Sequence, residues 1–495
     1  MENLSGPKWN KYNANRIVGE DHLGIRYVAI IIADYLQNGI TSITPRARYW
    51  SFYTWVLHDF INNSQNRSLA EFKKYLKRQE WFYILANIAQ LEGNGPVGLI
   101  GVTKGQEVWN TGLEELPERT DYLKNSFGGY GQAYRNVIKI LGFTREADTE
   151  KGVEIDRITE EGKALAIAFE NTIKHTDYYR NYRLSSDKIP RRVLKEYGDV
   201  AGLDRLNQPF SQDLYILKKH FMPDKTEDRL KILRCSSLEY YMYIIKNHGA
   251  ECSKGLSGWR NIIYDKHSIK GQQYKKIPDI FDEVAKGWEI YHGRQLFTYG
   301  LEAIWSYVLD LLSIKPCLRS WLIENVIENL KNEGIDVNNR VEEILHLLPL
   351  DITDREEYIK KAANQYGSAT ERVYYPLLLM LDVYNRFKDR SDFNEMHKEF
   401  INLGEDYRIS QKAWERTVED NRKKQVKQLI SRIIRYFILE QHQIVALDKL
   451  LTTNNETYHF IENEGILYFI SSDRPRFNTF RTLQGVSILK DLGLI

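Results

Sequence analysis

Cysteine is scarce in this 495-residue chain: Cys235, Cys252 and Cys317 are the only three, an odd number without CxxC spacing. That argues against a disulfide framework and against a thiolate zinc site, and a reducing compartment fits best. Long apolar runs are also missing. The longest, Tyr27 to Tyr35, contains Asp34 and falls short of the ~18 to 20 apolar residues that a bilayer span needs, and Met1 to Lys8 lacks the basic-then-apolar order of a signal peptide. The expected location is the cytoplasm, with no membrane contact. Charge of one sign is not in excess either. Lys plus Arg number 69 against 67 Asp plus Glu, a net charge of +2, so any surface for nucleic acid must be a local patch. No GxxxxGK[ST] occurs, and neither does Gly-x-Ser-x-Gly, so the chain is not itself a P-loop ATPase and offers no serine nucleophile elbow.

What is present is aromatic and periodic. Rings make up 12% of the sequence, with 32 Tyr and 10 Trp, and low-complexity tracts are absent, which points to compact structure throughout. A chain of this length exceeds one ordinary core, so several domains are expected. The fold class read from the spacing is mainly α: a multi-domain helical protein with a small C-terminal α+β module resembling a winged helix. Residues 1–95 read as a helical subdomain. In it Thr44 is placed to cap a helix carrying Tyr49, Phe52, Tyr53, Val56 and Phe60, and a helix from about Ser68 to Gln90 stops at Gly93-Asn94-Gly95-Pro96. Residues 96–277 form a middle region with Gly-rich and basic loops, including a helix over Tyr122 to Leu141 weakened by Gly128, Gly129 and Gly131. Residues 278–410 read as a helical bundle opened by a long helix over Pro278 to Leu312, which Gly287, Gly293 and Gly300 could kink. Residues 411–495 read as one helix over Gln411 to Leu451, a hairpin turning at Glu462 to Gly465, and a last helix capped by Asn478 and stopped at Gly493.

The catalytic-looking motifs weaken on inspection. Gly93 to Gly98 spells GxGxxG, but a helix precedes it where the dinucleotide fold needs a strand. Glu289 with His292 and Glu343 with His346 have the Glu-x-x-His spacing of di-metal bundles, yet ~one such pair is expected by chance. Arg340 with His346, Arg390 with His397, and Arg435 with His442 match the Arg-to-His spacing of HEPN-type ribonucleases. In that family both side chains work on a scissile phosphate. The expectation is therefore no catalytic residue, no metal and no cofactor, with a helical-bundle nuclease as the rival class.

Nucleic-acid contact has better local candidates. Arg422, Lys423 and Lys427 lie in a basic helix run, and Arg474, Arg476 and Arg481 flank the start of the last helix. Arg46 and Arg48 join them, because cations in a helix's first turn oppose its dipole and call for a compensating anion, a partner carboxylate or a phosphate. Gly39 to Tyr53, with its Ile43-Thr44-Pro45-Arg46-Ala47-Arg48-Tyr49-Trp50, and the terminal Asp491-Leu492-Gly493-Leu494-Ile495 resemble uncharacterised bacterial proteins associated with antiphage defence genes. That resemblance implies a subunit working beside an ATPase or nuclease, such as the SMC-like ATPase of Lamassu-type systems, and carries over no catalytic residue. The expectation is thus a non-catalytic subunit of such a complex, binding protein partners and DNA.

Overall fold

A computed structural model describes residues 21–148, 150, 152–184, 187–268, 273–403, 409–453, 456–478 and 480–495. The protein is mainly helical, 63% helix, with a few short strands, three of them forming a small cluster completed near the C-terminus. Two compact units emerge, each built from distant stretches of chain: residues 1–32 with 250–478, and residues 33–249 with 479–495. Four consecutive domains were expected from the sequence. Both units are discontinuous in sequence.

In the unit of residues 33–249 and 479–495, the helix Arg48–Asn63 is buried on nearly all sides, as expected for a helix carrying rings around its whole circumference. It packs on Glu160–Ile173, while Leu69–Gln90 packs on Arg191–Ala201. Phe52 stacks on Tyr83 with ring centres 4.1 Å apart, and Trp50, Trp55 and Trp81 are fully buried. Ser68 caps Leu69–Gln90 by accepting from the Glu71 amide, in line with the sequence. Thr44, by contrast, caps no helix. The helix begins at Arg48, and the Thr44 hydroxyl accepts from the Thr41 amide in the preceding turn.

The other unit is organised on Asp282–Ile314, a 33-residue helix without interruption. Two of the glycines read as kinks, Gly293 and Gly300, serve close approach instead. A Cβ on Gly300 would come within 2.8 Å of Met380 and 2.9 Å of the Pro376 carbonyl, on or beside the helix Tyr375–Phe387 that packs there.

The expected helix over Gln411 to Leu451 is broken. Gln411–Asn421 ends, and a new helix, Val426–Arg432, starts with Gln425 as its cap. The break is held by segment 337–342, which leads into the helix Val341–Leu345 and whose backbone trades hydrogen bonds with it: Val341 and Glu342 donate to the Lys424 and Arg422 carbonyls, and Val426 and Lys427 donate to those of Asn339 and Val337. Those bonds replace the intrahelical ladder at the break, which local propensity cannot foretell.

The hairpin is where the sequence placed it. Strands Phe460–Asn463 and Ile466–Phe469 pair antiparallel, and Glu464 and Gly465 both take positive φ, 52° and 79°, the backbone of a two-residue primed turn. Cys317–Leu318 adds a third strand, in the order Cys317–Leu318, Ile466–Phe469, Phe460–Asn463. The sheet therefore draws a strand from outside residues 411–495, and the last helix, Arg481–Asp491, groups with the other unit. Asn478 does not cap that helix. Its amide donates to Gln295 and its side chain to the Arg26 carbonyl.

Candidate functional site: a buried histidine cluster behind the sheet

Phe460 and Leu467 point from the sheet into the unit and are fully buried. Behind them, on the central helix, lies Trp305, whose ring centre is 6.1 Å from Phe460 and 4.8 Å from His442. Three histidines gather at this place from distant parts of the chain: His22 from the N-terminal segment, His442 from the helix Gln441–Thr453, and His459 from the residue before the hairpin. All three are buried. The rings of His22 and His459 stand edge to face with centres 4.1 Å apart.

Hydrogen bonds fix two of the three tautomers. His442 donates from Nδ1 to the His22 carbonyl at 3.0 Å and accepts at Nε2 from the His459 amide at 2.9 Å. Both of its nitrogens are therefore spent on holding the backbones of the other two. His459 donates from Nδ1 to the Ser471 carbonyl at 3.0 Å, which leaves its Nε2 as a lone pair. That Nε2 is buried without a partner, and so is Nδ1 of His22. Asp473 completes the group, accepting from Trp305 Nε1 at 3.3 Å and from the Arg474 amide at 2.8 Å.

The N-terminal segment is tied down beside the cluster. Gln441 donates to the Leu23 carbonyl and Lys449 to that of Asp21. Arg26 is held by Glu302 at 2.5 and 2.7 Å. Burial, reinforced by His459 and by Lys449, Arg476 and Arg26, pushes His22 down to about 3. Burial likewise brings His442 to about 3 and lowers His459. The imidazoles are thus neutral at physiological pH. Burial acts the other way on Glu302, raising its carboxyl to about 7 despite Arg26.

The opposite face of the sheet is open and mostly apolar, with Asn463 at its edge beside Ile466. Ile461 pairs with Tyr468 and Leu318 with Ile466 across the strands, and because side chains alternate, these four share one face. Leu318, Ile461 and Tyr468 are 52%, 49% and 37% exposed. The buried face of the same strands carries Cys317, Phe460 and Leu467.

Residues singled out in the sequence fall in varied places. Arg46 is buried, donating to Asp491, Asp204 and the Val97 carbonyl. Arg48 is fully buried 3.5 Å from Asp213, and Arg481 is buried between Asp34 and the Ile40 carbonyl. For these three the compensating anion is a carboxylate of the chain itself, so none is presented to a phosphate backbone. Arg474 contacts Asp310 at 3.0 Å while remaining partly exposed, and Arg476 is exposed. Arg422 and Lys423 are exposed at the helix break, Arg422 3.7 Å from Glu419, and Lys427 donates to Asn338.

The members of the Arg-His pairs have different surroundings. Arg390 is engaged by Glu289 and Asp392, His397 by the Glu283 carbonyl, and the Phe393 ring lies against both side chains. Arg340 and His346 are both exposed, whereas Arg435 is exposed and His442 is buried in the cluster. In the Glu-x-x-His pair of the central helix, Glu289 is taken by Lys266, Arg386 and Arg390. The other unit holds a cleft of about 680 Å³ lined by Phe143, Tyr215, Lys219, His220 and Lys231. His220 there lies 3.7 Å from Glu161 and is brought down to about 3 by burial and then by Arg234.

The histidine cluster was not legible in the sequence. His22, His442 and His459 have no ligand spacing, and only the tertiary fold unites them. Comparison with protein-family models, with curated proteins and with solved structures finds no match.

Proposed function

We propose that this chain is a non-catalytic subunit that docks a partner protein through the outer face of its small sheet, in the antiphage-defence setting implied by the resemblance of residues 39–53 and 491–495. The single observation that carries the docking is the apolar face of Leu318, Ile461, Ile466 and Tyr468, two cross-strand pairs turned to solvent on strands whose other face is already packed. Contiguous apolar surface of this kind marks interaction sites, whereas scattered exposed apolar residues do not. The partner fitting it is a protein with an apolar surface of its own, an SMC-like ATPase or a nuclease subunit under the resemblance. The nuclease alternative for this chain is weakened by the Phe393 ring, which contacts both Arg390 and His397.

DNA contact is a second, subordinate reading, favoured by the exposed Arg422 and Lys423 at the helix break. It predicts affinity that falls steeply with salt. The test of the main reading is parallel purification from the native host of wild type and the double variant Ile461→Asp, Tyr468→Asp. Recovery of a stoichiometric partner with wild type and its loss with a folded variant is the expected result. Equal recovery with both proteins would remove the sheet face as the docking site.

A further inference from the structure

The geometry points to a divalent transition-metal site formed by Nδ1 of His22, Nε2 of His459 and the carboxylate of Asp473. The inference does not depend on what docks against the sheet. Three observations converge on it.

First, the ligand atoms of these three residues all lie within 4.8 Å of one another. A tetrahedral ion with bonds of ~2.0–2.1 Å holds its ligand atoms about 3.4 Å apart, so the group needs only a small inward closure. Second, the two imidazole nitrogens concerned are buried and have no partner. A buried polar atom without a partner loses its hydration with nothing in return, and an ion held between the two rings and the carboxylate would supply a partner to both. Third, the surrounding bonds have the form of a metal site's outer shell. Nδ1–H of His459 donates to a backbone carbonyl and turns the Nε2 lone pair inward, Trp305 donates to Asp473, and His442 holds the backbones of His22 and His459 together. Metal-bound histidines and carboxylates are oriented in this way.

Two imidazoles and one carboxylate suit zinc, cobalt or ferrous iron, and do not suit calcium or magnesium, which take oxygen donors. The charges facing the site are mixed. Lys449, Arg26 and Arg476 oppose a cation, while Asp473 supplies a negative ligand and Glu302 offsets Arg26. Because the ligands come from the N-terminal segment, the residue before the hairpin and the segment after it, a bound ion would staple these three strands of chain together behind the docking face. Three protein ligands leave a coordination position for water.

The test uses full-length protein carrying an affinity tag without histidine, expressed in medium containing trace metals and purified without chelator. The expected result is about one equivalent of transition metal per chain by elemental analysis. Protein stripped with chelator and titrated with Co²⁺ should show the visible absorption of a low-coordinate nitrogen-ligated ion, displaced by Zn²⁺. Asp473→Asn, which keeps the shape, should weaken binding at least about tenfold, and His459→Ala should abolish it, while His346→Ala, at an exposed histidine, should bind as wild type does. If His459→Ala does not fold, Asp473→Asn and the wild-type titration still decide. No metal on the purified protein together with no cobalt spectrum on titration would overturn the inference, as would Asp473→Asn binding like wild type.

Discussion

Each unit of this protein buries a polar group deep in its interior, and the two are finished differently. In the unit of residues 33–249 and 479–495, Glu80 is fully buried. Its carboxylate accepts from the Gly129 amide at 2.7 Å, and the Tyr122 and Tyr53 hydroxyls and the Tyr130 amide also lie toward it. In the other unit His22 Nδ1 and His459 Nε2 are buried without a hydrogen-bond partner, and the two rings form one group with Asp473. One oxygen of the Glu80 carboxylate has a backbone donor, whereas His22 and His459 are each left with one ring nitrogen unpartnered. The Glu80 group is built from protein groups alone, whereas two imidazoles beside a carboxylate are the donor set of a transition-metal site. The same comparison separates the arginines, since Arg46 and Arg48 have their carboxylates inside the unit while Arg422 and Lys423 remain at the surface.

The sharpest way to break the comparison is at Arg48, which the sequence offered as a nucleic-acid contact. Removing one partner of a buried ion pair strands the other charge at a cost of about 3–5 kcal/mol. Arg48→Ala should lower stability by that amount in denaturant unfolding, and Arg48→Met with Asp213→Leu should recover most of the loss. A stable Arg48→Ala with impaired DNA binding would return Arg48 to the list of contacts.

Glu80 gives the next largest effect. Burial raises its carboxyl to about 7 against 4.5 for an ordinary glutamate, outweighing the amide and phenol groups that lower it. The folded state therefore holds the proton more tightly than the unfolded state does. Stability is greatest below the unfolded value, declines as pH rises from 4.5 to about 7, and is then flat, a total loss of ~3 kcal/mol. Glu80→Gln cannot lose a proton at this site. Unfolding measured at pH 5 and pH 8 should show the variant gaining ~2.5 kcal/mol on wild type, since part of the loss is complete by pH 5, and because Glu302 titrates in both proteins it cancels from the difference.

His442→Ala should cost about 2 kcal/mol, since it leaves the His22 carbonyl and the His459 amide without their partner in a buried place; thermal unfolding in the presence of chelator measures it. At the small end, Ile461→Asp and Tyr468→Asp should each change stability by less than about 0.5 kcal/mol, because these side chains are largely exposed in the isolated chain. A much larger loss would mean that the outer face is covered by the protein itself.

Much of the helical framework was legible, and for local reasons. Ser68 signals a start, the Gly93-to-Pro96 stretch a stop, and Glu464-Gly465 a tight turn, because each acts within a few residues. The elements misjudged were decided at a distance. Thr44 has the chemistry of a cap but is used by the turn before the helix. The run from Gln411 has helical spacing throughout, but segment 337–342 takes over its backbone bonds at residues 422–427. The expected helix over Tyr122 to Leu141 begins only at Tyr130, and Gly129 just before it gives its amide to Glu80. The histidine cluster is the extreme case, since Gly, Pro and capping residues announce themselves locally and a lone histidine does not.

The most direct measurement of the docking claim places a photo-crosslinking residue at Tyr468 of the otherwise intact protein in its native host, with the same residue at Tyr366, 87% exposed, as the control. A single discrete adduct at position 468 and none at 366, identified by mass spectrometry as another protein of the host, is the result expected of a docking face. Adducts at 366 alone, or none at 468 while the chain still recovers a stoichiometric partner, would contradict it.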